Sequence, residues 1–149
     1  MPDKVLYTAE ATSTGDGRSG HVISSDHQLD LDLAVPAEMG GSGHGTNPEQ
    51  LFAAGYSACF HSALRAVARR AGVDPGPSMV TAHVGIGPEG DAYGLVVTLV
   101  ISIPELDREQ TRELAEAAHQ VCPYSRATRG NISVELRLTG PAAAASQPA

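Results

Sequence analysis

One run constrains this chain more than any other: residues 47–72, NPEQLFAAGYSACFHSALRAVARRAG. No side chain between Glu49 and Arg65 is charged, and Leu51, Phe52, Ala53, Ala54, Tyr56, Ala58, Phe60, Ala63 and Leu64 fill most of the interval. A helix that is apolar nearly all round belongs in an interior, so the run predicts a buried central helix. Its start is well marked. Asn47 is a good N-cap, Pro48 sits where a missing N–H costs nothing, Glu49 suits the positive end of the helix dipole, and Gln50 stands at the capping-box offset. Ala71-Gly72 ends it. The small residues Ala53, Ala54, Gly55, Ser57 and Ala58 let other backbone come close, and Cys59 lies in the middle of the rod.

With 149 residues and a 42% hydrophobic fraction, the chain suits one globular domain, expected over residues 1–139, with the alanine-rich 140–149 expected to be a disordered tail. A net charge of −7 argues against a nucleic-acid partner, because phosphate contacts need a basic face. No window reaches the roughly 18 uninterrupted apolar residues of a membrane span. The opening MPDKVLYTAE carries Asp3 and no apolar segment of the secretory kind. A cytoplasmic location is the expectation, and two cysteines there are not a secreted disulfide framework.

Along the chain, Lys4–Ser13 reads as a strand, the GDGRSG segment (Gly15–Gly20) as a turn, and His21–Ser24 as the returning strand. Gln28–Val35 alternates as a half-buried strand, and Pro36–Thr46 is a glycine-rich loop feeding the central helix. Beyond Gly72, Met79–Gly87 and Tyr93–Ile103 read as a hairpin around Pro88–Asp91. The apolar run Leu95–Ile101 places the second strand centrally in its sheet. Asp107 caps a second helix with Gln110 at the capping-box offset, running to about Val121. Cys122-Pro123-Tyr124 breaks it, Ser125–Gly130 is a turn or short helix, and Ile132–Leu138 is a last strand. The order predicts an α+β fold with a mostly antiparallel sheet packed on helices.

The cysteines leave three readings open: reactive thiols, metal ligands or inert core residues. Burial penalises a thiolate, and Cys59 is about three turns from its helix N-terminus, beyond the reach of the dipole. It is nucleophilic only if a cation is brought to it. Cys122 stands at a helix end before Pro123. With His61 and His119 the two cysteines would make a Cys2His2 set, but Cys59 and His61 point about 200° apart on a helix, and structural zinc sites favour paired ligands on turns. Arg18 reads without further information as a solvated turn residue, and Glu49 as a first-turn acid favoured by the dipole.

GTNPEQLFAAGYSACF (Gly45–Phe60), VCPYSRATRGNI (Val121–Ile132) and the GDGRSG turn together closely resemble the organic hydroperoxide resistance (Ohr) branch of the Ohr/OsmC family, in order and spacing from about Val5 to Leu138. The resemblance implies an OsmC-like fold in an intertwined homodimer, with mostly antiparallel sheets wrapped around long central helices. It implies a thiol peroxidase with no cofactor or metal. Cys59 would be the peroxidatic and Cys122 the resolving cysteine, with Arg18 and Glu49 as the active-site arginine and glutamate. Organic and fatty-acid hydroperoxides would be the substrates, and a dihydrolipoyl group, on a lipoylated protein or as dihydrolipoamide, the reductant. Arg126 departs from the pattern, where asparagine is expected. A non-catalytic redox sensor, an apolar ligand-binding module and a zinc protein stand as alternatives. Glu49 and Cys59 are ten positions apart, about 15 Å along a helix, so the expectation is that Arg18 and Glu49 reach Cys59 from a partner chain.

Overall fold

The computed structural model describes residues 1–139; the tail read as disordered lies outside them. The chain divides into two compact units, Met1–Leu51 and Phe52–Ala149.

The first unit is a small antiparallel sheet, β1 (Ala11–Thr14), β2 (His21–Ser24) and β3 (Asp30–Asp32), in that spatial order. Thr14 pairs with His21 and Val22 with Leu31. The turn between β1 and β2 is a single 3-10 turn, Gly17–Ser19. Gly15 and Gly17 take positive φ there, and a Cβ on Gly20 would lie 2.1 Å from the Thr14 carbonyl oxygen, so the tight return requires glycine. His21 bridges two acids across the sheet, Nδ1 to Asp32 at 2.8 Å and Nε2 to Asp30 at 2.6 Å.

Two strand expectations shrink here. Lys4–Glu10 joins no ladder among the described residues: Val5, Leu6 and Tyr7 are exposed, and alternation alone makes no strand without a neighbour to pair with. Gln28–Val35 contributes only Asp30–Asp32 to the sheet; Leu33 instead bridges to Thr46.

The long helix α1 (Pro48–Arg70) begins as anticipated, with the Gln50 N–H donating to Asn47 Oδ1 at 2.8 Å. The reciprocal half of the capping box is not made, because the Gln50 side chain accepts from Thr46 Oγ1 instead. In the second unit α1 is not a fully buried rod. Tyr56, Phe60, Ala63, Leu64, Val67 and Ala68 are buried, whereas Ala54, Ala58 and Ser62 are exposed along another face. The apolar composition that predicts burial on all sides thus finds cover on one side within the chain.

That buried face packs with a three-stranded sheet in the order β4 (Met79–Glu89), β5 (Ala92–Ser102), β6 (Val134–Thr139). β4 and β5 form a hairpin paired from Met79–Ser102 to Glu89–Ala92. β5 is central as its apolar run predicts, and β6 lies parallel to it. Helix α2 (Arg108–Val121) carries both halves of the Asp107–Gln110 capping box, and Leu114, Ala115 and Ala118 from its inner face complete the core. Cys122 ends α2 and begins the short helix α3 (Pro123–Thr128), its extended backbone (φ −61°, ψ 124°) making the corner between them.

Candidate active site

In the first unit, the 3-10 turn holds Arg18, and the first turn of α1 holds Glu49. Their side chains meet in a fork, Nη1 to Oε2 at 2.9 Å and Nη2 to Oε1 at 2.7 Å. This is the bidentate geometry that a planar guanidinium offers a carboxylate. Hydrogen bonding to Arg18 holds the Glu49 carboxyl below its ordinary pKa against the opposing cost of burial, and the same bond raises that of Arg18. Glu49 is well covered at 12% side-chain exposure, while Arg18 keeps 40%. Two of the guanidinium's five N–H donors face Glu49, which leaves the remainder to face a further acceptor.

In the second unit, Cys59 on α1 meets Cys122 at the α2–α3 corner, Sγ to Sγ at 3.6 Å, with the Cys122 thiol donating to the Cys59 sulfur. Both are free thiols, Cys122 fully buried and Cys59 partly so. Desolvation pushes the Cys59 thiol above its usual pKa, and the Cys122 contact adds to this; the backbone N–H of Tyr124 acts in the opposite sense. Left to this unit alone, Cys59 is a weak nucleophile. Phe52 and Tyr124, ring centroids 6.3 Å apart, give the surroundings of the thiol an apolar, polarisable wall, and both pack from outside on the fully buried core ring of Tyr56 at 6.0 and 5.7 Å. Tyr124 lies over Gly55, where even a Cβ would come within 3.1 Å of the phenol oxygen.

Neither histidine joins the cysteines in a metal set. His61 Nε2 is 2.8 Å from Ser78 Oγ and His119 Nδ1 is 2.8 Å from Ser125 Oγ. No group of three or more His, Cys, Asp or Glu among the described residues is arranged to hold a metal ion. The four residues singled out in the sequence are therefore brought together two by two, Arg18 with Glu49 and Cys59 with Cys122.

The profile of the OsmC-like protein family matches residues 41–137. An organic hydroperoxide resistance protein from Xanthomonas axonopodis pv. citri is 54% identical over 139 residues, which span 92% of this chain and 97% of that one. The chain belongs to the organic hydroperoxide resistance branch of the OsmC-like family. Solved structures agree. The organic hydroperoxide resistance protein OhrB of Bacillus subtilis superposes with a TM-score of 0.82 at 45% identity, covering 91% of this chain and 100% of that chain. An organic hydroperoxide resistance protein from Elizabethkingia anophelis superposes with a TM-score of 0.86 at 50% identity, covering 92% and 99%.

Phe52, Tyr56 and Ser125 also line this region without having been singled out in the sequence as site residues, and His119, weighed there only as a metal ligand, instead meets Ser125. Tyr56 and Ser125 read as ordinary core and turn residues. A faint signal was present in the spacing: Tyr56 precedes Cys59 by three, His119 precedes Cys122 by three, and Ser125 follows Cys122 by three, the separations that share a helix face.

Proposed function

We propose that this protein is a cytoplasmic thiol-dependent peroxidase that reduces organic hydroperoxides, fatty-acid hydroperoxides among them, to alcohols. The observation that carries the reading is the pair of free thiols 3.6 Å apart, one buried and one partly exposed. The names of the relatives it matches support this substrate class, and the aromatic wall of Phe52 and Tyr124 suits an alkyl group better than hydrogen peroxide.

The reaction runs in three balanced steps. The Cys59 thiolate attacks one oxygen of R–O–O–H and the O–O bond breaks, leaving Cys59–S–OH and an alkoxide that takes a proton to become R–OH. The Cys122 thiol attacks the sulfenic sulfur, forming the Cys59–Cys122 disulfide and releasing water. A dihydrolipoyl dithiol exchanges with the disulfide, returning both cysteines as thiols and leaving as the cyclic disulfide.

Arg18 supplies what burial denies. A guanidinium beside Cys59 favours the thiolate, and its N–H groups hydrogen-bond the peroxide and the charge that develops on the leaving oxygen. Glu49 fixes the orientation of that guanidinium. The rise of about 1.5 Å per residue separates Glu49 from Cys59 along α1, so a second copy of the chain delivers the Arg18–Glu49 pair to each thiol. An intertwined homodimer also gives cover to Val5, Leu6 and Tyr7 and to the open Ala54–Ala58 face of α1.

Turnover of cumene hydroperoxide tests the assignment, with dihydrolipoamide and glutathione compared as electron donors. Repeated turnover with the dithiol, far slower turnover with glutathione, and none in a Cys59→Ser variant are the expected results. Consumption of one equivalent of peroxide without further turnover would instead fit a redox sensor.

A further inference from the structure

A buried polar chain behind the cysteines has no part in the steps above. Tyr56 and Ser125 are fully buried and Thr128 nearly so. The Tyr56 hydroxyl lies 2.8 Å from Ser125 Oγ and 3.2 Å from Thr128 Oγ1. Ser125 Oγ is also 2.8 Å from His119 Nδ1. Burying three polar side chains, with the partly buried His119 beside them, is costly unless every one is bonded, and fully bonded they fix one arrangement.

What they fix is set by their positions. Tyr56 lies on α1 one turn before Cys59, His119 on α2 one turn before Cys122, and Ser125 on α3 one turn after Cys122. The Ser125 hydroxyl is therefore the knot that ties three helices, and each strand of the knot runs to the turn next to a reacting sulfur. Other bonds fasten the same corner: Cys122 N–H to the Ala118 carbonyl at 2.8 Å, Arg126 N–H to the Cys122 carbonyl at 2.9 Å, and Arg129 Nη2 to the His119 carbonyl at 2.6 Å. Disulfide closure must shorten the sulfur separation from 3.6 Å to about 2.05 Å. That is a movement of side-chain size, available only while the corner stays in place.

We propose that the Tyr56–Ser125–His119 hydrogen-bond chain holds the α2–α3 corner so that Cys122 captures the oxidised Cys59 before a second peroxide does, making these three positioning residues for disulfide closure. The inference rests on the peroxidase reading for its biological sense but concerns a separate step. With Cys59 as sulfenic acid, closure forms the S–S bond, breaks the S–O and S–H bonds and expels water. If it is delayed, further hydroperoxide carries the sulfenic acid on to sulfinic acid.

The test compares wild type, Tyr56→Phe and Ser125→Ala in the full-length assembled protein. Rapid mixing with cumene hydroperoxide separates peroxide consumption in the first turnover from loss of dimedone-reactive sulfenic acid. Tyr56→Phe keeps the ring and its packing, so the peroxide step should stay within about twofold while closure slows about tenfold, the scale of one buried hydrogen bond. Ser125→Ala, which cuts both branches, should slow closure further, and both variants should accumulate more sulfinic acid by mass spectrometry at equal peroxide dose. A second measurement does not depend on peroxidase activity: oxidation of the dithiol by diamide, followed as thiol loss, should show the same ranking. Closure at the wild-type rate in both variants overturns the proposal. So does slowing of the peroxide and closure steps in equal proportion, the mark of general loosening. Failure of wild type to turn over peroxide, with the diamide ranking intact, would remove the peroxidase reading and leave the positioning role standing.

Discussion

The two residue pairs of the candidate site are built in opposite ways. The Arg18–Glu49 pair belongs to a small sheet with little core, on a glycine-shaped turn, with Arg18 40% exposed. The Cys59–Cys122 pair belongs to the main core, between the buried face of α1 and a corner knotted by hydrogen bonds. The ion pair is partly exposed, and such pairs contribute little to stability; the thiol pair sits against the core, where desolvation raises the Cys59 pKa. One region holds a sulfur in apolar surroundings, and another carries a charge of the kind such surroundings lack; under the proposed function, reactivity is divided between them.

The largest test of that division is the sulfur itself. Cys59→Ser should abolish turnover, whereas Cys122→Ser should still consume one equivalent of peroxide and then accumulate sulfenic and sulfinic acid, read by mass spectrometry. Next in size is the core that holds the sulfur. Phe60 is completely buried one residue from Cys59, and Phe60→Ala should cost about 3–5 kcal/mol in denaturant unfolding. Arg18→Ala should lower kcat/KM about 10²–10³-fold, the scale of losing one charge-stabilising donor. Its effect on stability should stay below about 1 kcal/mol, as for a partly exposed ion pair. The same variant should move the pH at which iodoacetamide modification of Cys59 rises upward by about one unit or more, since burial alone pushes this thiol up.

Smaller effects sharpen the role of Glu49. Its carboxyl is held below the ordinary range by Arg18, so the pair's contribution is fully present above the unfolded value of about 4.3. It is lost only as pH falls through the lower native value. Activity should therefore show no acid limb from Glu49 near neutrality. Glu49→Gln keeps one acceptor for Arg18 but loses the charge, and should reduce kcat/KM about tenfold, measured with the same peroxide. A fall as large as that of Arg18→Ala would mean that Glu49 does more than orient the guanidinium.

The parts of this fold that were legible in the sequence are local ones. Asp107 and Gln110 stand three residues apart and make their capping box with no help from elsewhere. The β4–β5 hairpin follows from alternating residues around Gly90-Asp91, and Cys-Pro-Tyr marks the α2–α3 corner. The parts that were not legible depend on distant neighbours. Lys4–Glu10 has the alternation of a strand and joins no ladder among the described residues. The apolar run of α1 predicts burial on every side, and the chain covers one. In the candidate site, neither partnership follows from composition or spacing. Arg18 and Glu49 are 31 residues apart and Cys59 and Cys122 are 63 apart; only the resemblance of two long motifs to a family linked them beforehand. The Tyr56–Ser125–His119 chain was hidden because each member is an ordinary residue for its element.

The most direct test of divided reactivity is complementation between two inactive chains. Arg18→Ala, which retains Cys59, and Cys59→Ser, which retains Arg18, are unfolded together in equal amounts, refolded, and assayed with cumene hydroperoxide and dihydrolipoamide. If the charge reaches the sulfur from a second copy, random pairing into two-fold dimers should restore about a quarter of wild-type activity. If the mixture is no more active than the two variants refolded separately, the guanidinium does not come from the partner and the account fails.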